Sequence, residues 1–264
     1  MLTLMWLRTT VNYQYRYGVT FFEALNQIYM QGGVSRFYRG LSYALIQGPL
    51  SKFGSVAANE GSKVLVQFLY KDENSFVLTS ALGSLFSVLW RLFLMPIDTC
   101  KTVLQVEGVK GFHLLWKRLL LGDIGVLYQG SLATILSTFA GHYPWFLVHN
   151  FLDSTIQESP SNDMINLIRS AAIGFAASAV SDTVSNFIRV IKTIKQSIIT
   201  VENLTYLQVV RKVYSEGGIN SLLFRGLSTR IFANGLQSML FSVLWKMLPK
   251  LDNNLRKETI SHIE

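Results

Sequence analysis

Three aromatic-x-Gly tripeptides punctuate this chain: Tyr38-Arg39-Gly40, Tyr128-Gln129-Gly130 and Phe224-Arg225-Gly226, with their glycines 90 and 96 residues apart. An apolar segment follows each one directly. Glycine-rich turns precede them, at Gln31-Gly32-Gly33, Gly122-Asp123-Ile124-Gly125 and Glu216-Gly217-Gly218. Before each turn lies a short amphipathic stretch, around Phe22–Leu25, Phe112–Trp116 and Leu207–Val210. A period this long marks one supersecondary unit repeated, each copy burying its apolar face against the next. The unit reads as spanning helix, short surface helix, glycine turn, spanning helix. Three copies predict an all-α membrane bundle with pseudo-threefold symmetry about the membrane normal and a site near the midplane. The expected divisions are residues 1–70, 71–158 and 159–264.

A membrane span needs about 20 predominantly apolar residues. Five segments qualify: Leu41–Phe68, Phe76–Val103, Ser131–Ile156, Met164–Ile194 and Leu227–Leu248. Only 15% of the 264 residues are charged, against about 25% in soluble domains. Yet Lys52, Arg91, His142, Asp182, Arg189 and Arg230 fall within or at the edges of these segments. A charge at a helix centre in lipid costs about 2.5–3.5 kcal/mol on insertion scales, so such residues face a bundle interior or a water-filled cavity. Arg91 and Asp182, deep in their segments, are assigned to a cavity. Arg230, near a helix start, reads equally as a cavity group or as an interfacial cation that snorkels. Gly83/Ser87 and Gly174/Ser178 have the small-xxx-small spacing that lets helices approach closely.

The net charge is +8, but the basic residues are scattered along the edges of apolar runs. That distribution suits anionic lipid head groups and lacks the clustered basic, aromatic surface of a nucleic-acid binder. Cys100 is the only cysteine, which excludes an internal disulfide and a cysteine-rich zinc site. The four histidines form no spaced cluster, and no nucleophile elbow is present. No metal, cofactor or catalytic residue is therefore expected.

The run Pro96-Ile97-Asp98-Thr99-Cys100-Lys101-Thr102-Val103-Leu104-Gln105 ends one apolar segment. Proline in a helix removes a hydrogen bond and bends the axis. Asp98 and Lys101 lie three apart on one face, where they can pair with neighbouring helices and close a pathway.

With the tripeptides, this run resembles the mitochondrial carrier family, whose three repeats each carry a Pro-x-acid-x-x-base motif and then an acid-Gly-x-x-x-x-aromatic-base-Gly motif. Pro96 to Gln105 matches the first in full, including the glutamine that braces the gate. Gly33 to Gly40 and the Gly217–Gly226 region match the second closely. The resemblance implies a transporter of the mitochondrial inner membrane that works as a monomer, with cardiolipin phosphate held near Arg39, Gly40, Gly130 and Gly226.

The other copies depart from the motif. Counting back from Gln196, Phe187 replaces the proline and Arg189 the acid, while Lys192 keeps the base. In the first copy Arg8 and Asn12 fit the base and glutamine positions, and Thr3 and Met5 replace the proline and acid. The chain also begins where a first spanning helix should be ending, so a truncated N-terminus is expected, with a five-helix carrier as the alternative. Arg91 and Asp182 each lie seven residues before the acid position, a two-turn spacing that keeps each on its helix face. Their inverted charges predict Asp98 paired with Arg189 and Arg91 paired with Asp182.

The family's cytoplasmic gate carries over to Glu60/Lys63, Asn150/Asp153 and Lys246/Pro249, with Asp153–Lys246 and Lys63–Asn150 as candidate pairs. Ordinary interfacial charges are the other reading of these residues. The substrate contact points carry over to Gln47, Ser137-Thr138 and Ala233-Asn234, with Lys52, His142 and Ser238 a turn further on and Arg91 and Asp182 beneath. That mildly basic cavity favours a small anion such as a carboxylate, with a zwitterion or nucleotide still open. His142 reads equally as a titratable contact and as a packing residue. The second functional reading is a carrier-fold adaptor or assembly protein that no longer transports.

Overall fold

A computed structural model describes residues 2–70, 76–157, 163–198 and 204–237, and every regular element among them is helical. The helices are α1 (Met5–Tyr17), α2 (Phe21–Met30), α3 (Gly33–Phe37), α4 (Leu41–Tyr70), α5 (Phe76–Phe93), α6 (Met95–Val106), α7 (Gly108–Leu120), α8 (Ser131–Thr155), α9 (Asp163–Ser197) and α10 (Tyr206–Phe224). A further helix, α11, covers 227–237. Short 3-10 turns occupy Leu2–Leu4 and Ile124–Tyr128.

Local chemistry sets these boundaries. Gly18 in the left-handed region ends α1, its N–H returning to Gln14 O. Thr20 and Glu23 form a capping box at the start of α2, and Thr205 and Gln208 form the same box at α10. The bonds from Thr20 hold the Glu23 carboxyl below its ordinary range.

The expected single span Phe76–Val103 is divided: α5 stops at Phe93, Leu94 forms a turn and α6 restarts at Met95. Pro96 occupies the first turn of α6, where its absent N–H costs least. Leu94 N–H still reaches Trp90 O at 3.1 Å and Asp98 N–H reaches Leu94 O at 3.1 Å. Pro49 and Pro144 lie inside α4 and α8 without ending them. The break therefore reflects Pro96 together with the change there from apolar to polar sequence.

Apolar packing concentrates where short helices meet the C-terminal ends of α1, α6 and α9. Val11 and Tyr15 pack with Val190, Ile194, Val209 and Val213. Tyr13 packs with Ala24, Ile28 and Phe37, and Val103 with Leu115 and Val126. Each such aliphatic residue contributes about 1.5–3 kcal/mol on burial.

Elsewhere the helices turn apolar faces outward. On α8, Leu132, Leu136, Phe139 and Tyr143 are exposed, while Thr134, Ser137 and Thr138 are buried. Ile124–Trp145 and Met164–Ser197 are long and apolar enough to cross a membrane. Only 17% of the α9 window is buried, the reverse of a soluble core helix, which argues for lipid around it. The other expected spans differ. Leu41–Phe68 carries Lys52, Glu60 and Lys63, α5 has only 18 residues before its break, and Leu227–Leu248 is described only to residue 237. Of the two small-residue pairs, Gly83 and Ser87 are buried. A side chain at Gly174 would meet open space, so that pair is not a packing contact.

Candidate functional site

Two buried carboxylates tie helices together. The first is Asp98 on α6. Its Oδ1 accepts from Lys101 Nζ at 2.7 Å and its Oδ2 from Lys192 Nζ of α9 at 2.7 Å. Gln196 Nε2 of α9 adds contacts to Asp98 Oδ2 and Thr99 Oγ1, each at 3.4 Å. Lys101 also reaches Gln47 Oε1 of α4 at 3.2 Å. On the other side of α6, Gln105 accepts from Asn12 Nδ2 at 2.6 Å and donates to Met5 Sδ at 3.5 Å. Lys101 finds no acid on α1, because Met5 stands where an acid would, so it turns to the Asp98 of its own helix.

The second carboxylate is Asp182 on α9. Arg230 Nε of α11 donates to its Oδ1 at 2.7 Å, and Asn234 of the same helix donates to its Oδ2. Arg189 Nη2 stands 3.9 Å from the same Oδ1, while its Nε donates to Ser185 Oγ at 2.9 Å. Arg8 of α1 donates to Gln237 Oε1 at 2.6 Å.

The expected cross-pairs are therefore corrected: Asp98 pairs with Lys192 and not Arg189, and Asp182 pairs with Arg230 and not Arg91. Arg91 donates instead to Ser51 Oγ at 2.7 Å. The cause is side-chain direction. Side chains on a helix lean toward its N-terminus. Arg189 thus reaches back to Ser185 and Asp182, and Lys192 reaches back to the height of Asp98. Arg230 resolves to the interior reading. Its clue was spacing, since Arg230, Asn234 and Gln237 share one face at i, i+4 and i+7.

Of the expected substrate contacts, Ser137 and Thr138 are buried, and both hydroxyls donate to Thr134 O, at 3.1 and 2.7 Å. Gln47 is engaged by Lys101, and Asn234 by Asp182. His142 is exposed, beside the buried face of α8. The side chains of Lys52, Glu60, Lys63, Asn150 and Asp153 lie outside the described residues, as do Ser238, Lys246 and Pro249 entirely.

Gly40, Gly130 and Gly226 have positive φ of 82°, 88° and 66°. A side chain at Gly40 would press on Lys101 O at 3.1 Å, at Gly130 on Lys192 O at 3.3 Å, and at Gly226 on the Tyr15 ring at 3.0 Å. Each glycine thus admits the end of a neighbouring helix: α6, α9 and α1 in turn.

Arg36 was not anticipated from sequence. It is fully buried and donates to Leu104 O, Gln105 O and Val106 O, the last carbonyls of α6. Arg225 serves α1 similarly, with Nη1 on Tyr15 O at 3.2 Å and Nη2 on Glu216 at 2.7 Å. A cavity of about 510 Å³ opens beside it, lined by Gln14, Tyr17, Thr20, Glu216, Arg225 and Gly226. Arg39 packs its guanidinium between Gly32 and Gly108.

A protein-family comparison matches residues 163–251, a third of the chain, to the model described as mitochondrial carrier protein. No curated protein matches the sequence.

Proposed function

We propose, since residues 163–251 match the mitochondrial carrier family and the rest of the chain resembles it, that the protein moves a small anionic metabolite, carboxylate-like in charge, across the mitochondrial inner membrane by alternating access. The observation that carries this reading is Asp98, which joins α6 to α9 through short ion pairs at one end of an otherwise apolar bundle. Such pairs form and break without covalent chemistry. Substrate that engages Lys101, Gln47 or Arg230 competes for the groups that hold the bundle shut. The interior favours an anion because Arg8, Arg91, Lys101, Arg189, Lys192 and Arg230 face only Asp98 and Asp182 among the described residues.

Three repeats, divided at 1–70, 71–158 and 159–264, are part of the proposal. Support comes from the three glycines, each seated on the next unit's helix end. The same turns, with Arg39 and the cavity beside Arg225, suit a lipid phosphate at helix N-termini, cardiolipin by resemblance. The protein would act as a monomer.

The adaptor reading draws on one observation: a single interhelical ion pair remains at Asp98, while Arg8 faces a neutral glutamine. Uptake of a labelled metabolite panel by liposomes holding the full chain separates the two. Carboxylate uptake that Asp98→Asn abolishes supports transport. No uptake of any class supports the adaptor.

A further inference from the structure

The two charged junctions differ in balance. At α6 and α9, both Asp98 oxygens are taken by ammonium groups at 2.7 Å. Where α1, α9 and α11 meet, the Arg189 and Arg230 guanidiniums share one described carboxylate, Asp182, and a third guanidinium, Arg8, stands beside them on Gln237 of α11. Its Oδ1 accepts from Arg230 and its Oδ2 from Asn234, and Arg189 stands further off at 3.9 Å. Arg8 has no described acid, only the Gln237 oxygen at 2.6 Å, and it lies in the repulsive field of Arg230. Cations half-removed from water in an apolar bundle repel one another and call for a counter-anion. Side-chain exposures of 23% for Arg189 and 24% for Arg230 leave a small ion able to reach them. A guanidinium offers five N–H donors in a planar fork that fits carboxylate or phosphate.

We propose that Arg8, Arg189 and Arg230 form an oxyanion site at the meeting of α1, α9 and α11, which takes a carboxylate or phosphate group from outside the chain, since the described residues supply none beyond Asp182. The site deepens the transport reading: the anion completes the charge balance of this junction and draws α1 onto α9 and α11. The junction is then stable when the anion is bound and loosens when it leaves. The bound group is either part of the transported solute or a separate inorganic ion.

The test uses the purified full chain in detergent. Thermal unfolding is followed during titration with inorganic phosphate and, separately, with succinate, against chloride at matched ionic strength. The wild type should show a saturable rise in midpoint with at least one oxyanion. Arg8→Gln should weaken that response about tenfold or more, the scale of one lost charge-assisted bond. Gln237→Glu, which puts a resident carboxylate beside Arg8, should raise the midpoint in anion-free buffer and abolish the response. The surface change Lys110→Gln removes the same charge and should leave the response intact, and Arg8→Lys should retain part of it if Arg8→Gln fails to fold. A response to succinate alone points to the solute's own carboxylate, and one to phosphate alone to the inorganic ion. Equal responses in wild type and Arg8→Gln, or none beyond chloride, overturn the site. Because the readout is unfolding and not uptake, it stands or falls apart from the transport result.

Discussion

The α6–α9 junction and the α1–α9–α11 junction use the same ingredients and solve charge burial differently. At the first, one acid is shared symmetrically by two lysines on two helices, with Gln196 as a further donor. At the second, the acid lies two turns further back along α9, and an arginine stands where the acid would otherwise be. The first junction is complete in itself. The second holds more positive charge than Asp182 can answer. The comparison teaches that a charge cannot be relocated along a helix without changing which neighbours it meets, because side-chain reach is directional.

The largest expected effect comes from Asp98→Asn, which leaves two buried ammonium groups without their carboxylate. Loss of one partner of a buried pair costs about 3–5 kcal/mol, visible as a lowered unfolding midpoint in detergent. An unchanged midpoint would show that the pair contributes nothing. The double exchange Asp98→Arg with Arg189→Asp should not rescue it, since an arginine at position 98 would face Lys101 and Lys192. Rescue of stability or uptake would restore the discarded pairing of Asp98 with Arg189.

Asp182→Asn should cost less, about 2 kcal/mol, because its arginines keep partial solvent access that screens their repulsion. A larger loss than for Asp98→Asn would reverse the ranking of the two junctions. The glutamines sharpen it further. Gln196→Leu removes donation to a charged oxygen and should cost about 1.5 kcal/mol, whereas Gln105→Leu removes bonds to a neutral amide and a thioether and should cost about 1 kcal/mol. Equal losses would mean that Gln196 gains nothing from the carboxylate. Thr205→Ala, remote from both junctions, should cost about 0.5–1 kcal/mol through the lost α10 cap and leave uptake unchanged. A change in uptake would tie that surface helix to the pathway.

Much of the fold was legible. Leu41, Phe76 and Ser131 begin helices where the glycine turns and polar breaks put them, because turn chemistry is local and survives any tertiary arrangement. Asp98 and Lys192 were legible as charged groups turned toward neighbouring helices, but their mutual pairing was not. Matching Asp98 to Arg189 by height treated side chains as if they stood at right angles to the helix. Arg36 was illegible for a different reason. An arginine beside a glycine turn looks like a surface cation, and only the neighbouring helix end, 68 to 70 residues away, shows that it caps carbonyls. Arg230 needed its partner's position before its two readings could be separated.

The break at Leu94 has a mechanical consequence. It makes α6, 12 residues long, a lever whose fulcrum sits at its N-terminal end. At about 1.5 Å per residue, Asp98 lies about 6 Å from the fulcrum and Gln105 about 16 Å. A tilt of about 10° therefore shifts Asp98 by about 1 Å and Gln105 by about 3 Å. Such a tilt would part the contact with Asn12 first, while the ion pair to Lys192 would merely stretch. If transport opens this end of the bundle, as proposed, the weaker fastening at the lever's tip would yield before the stronger one beside its pivot.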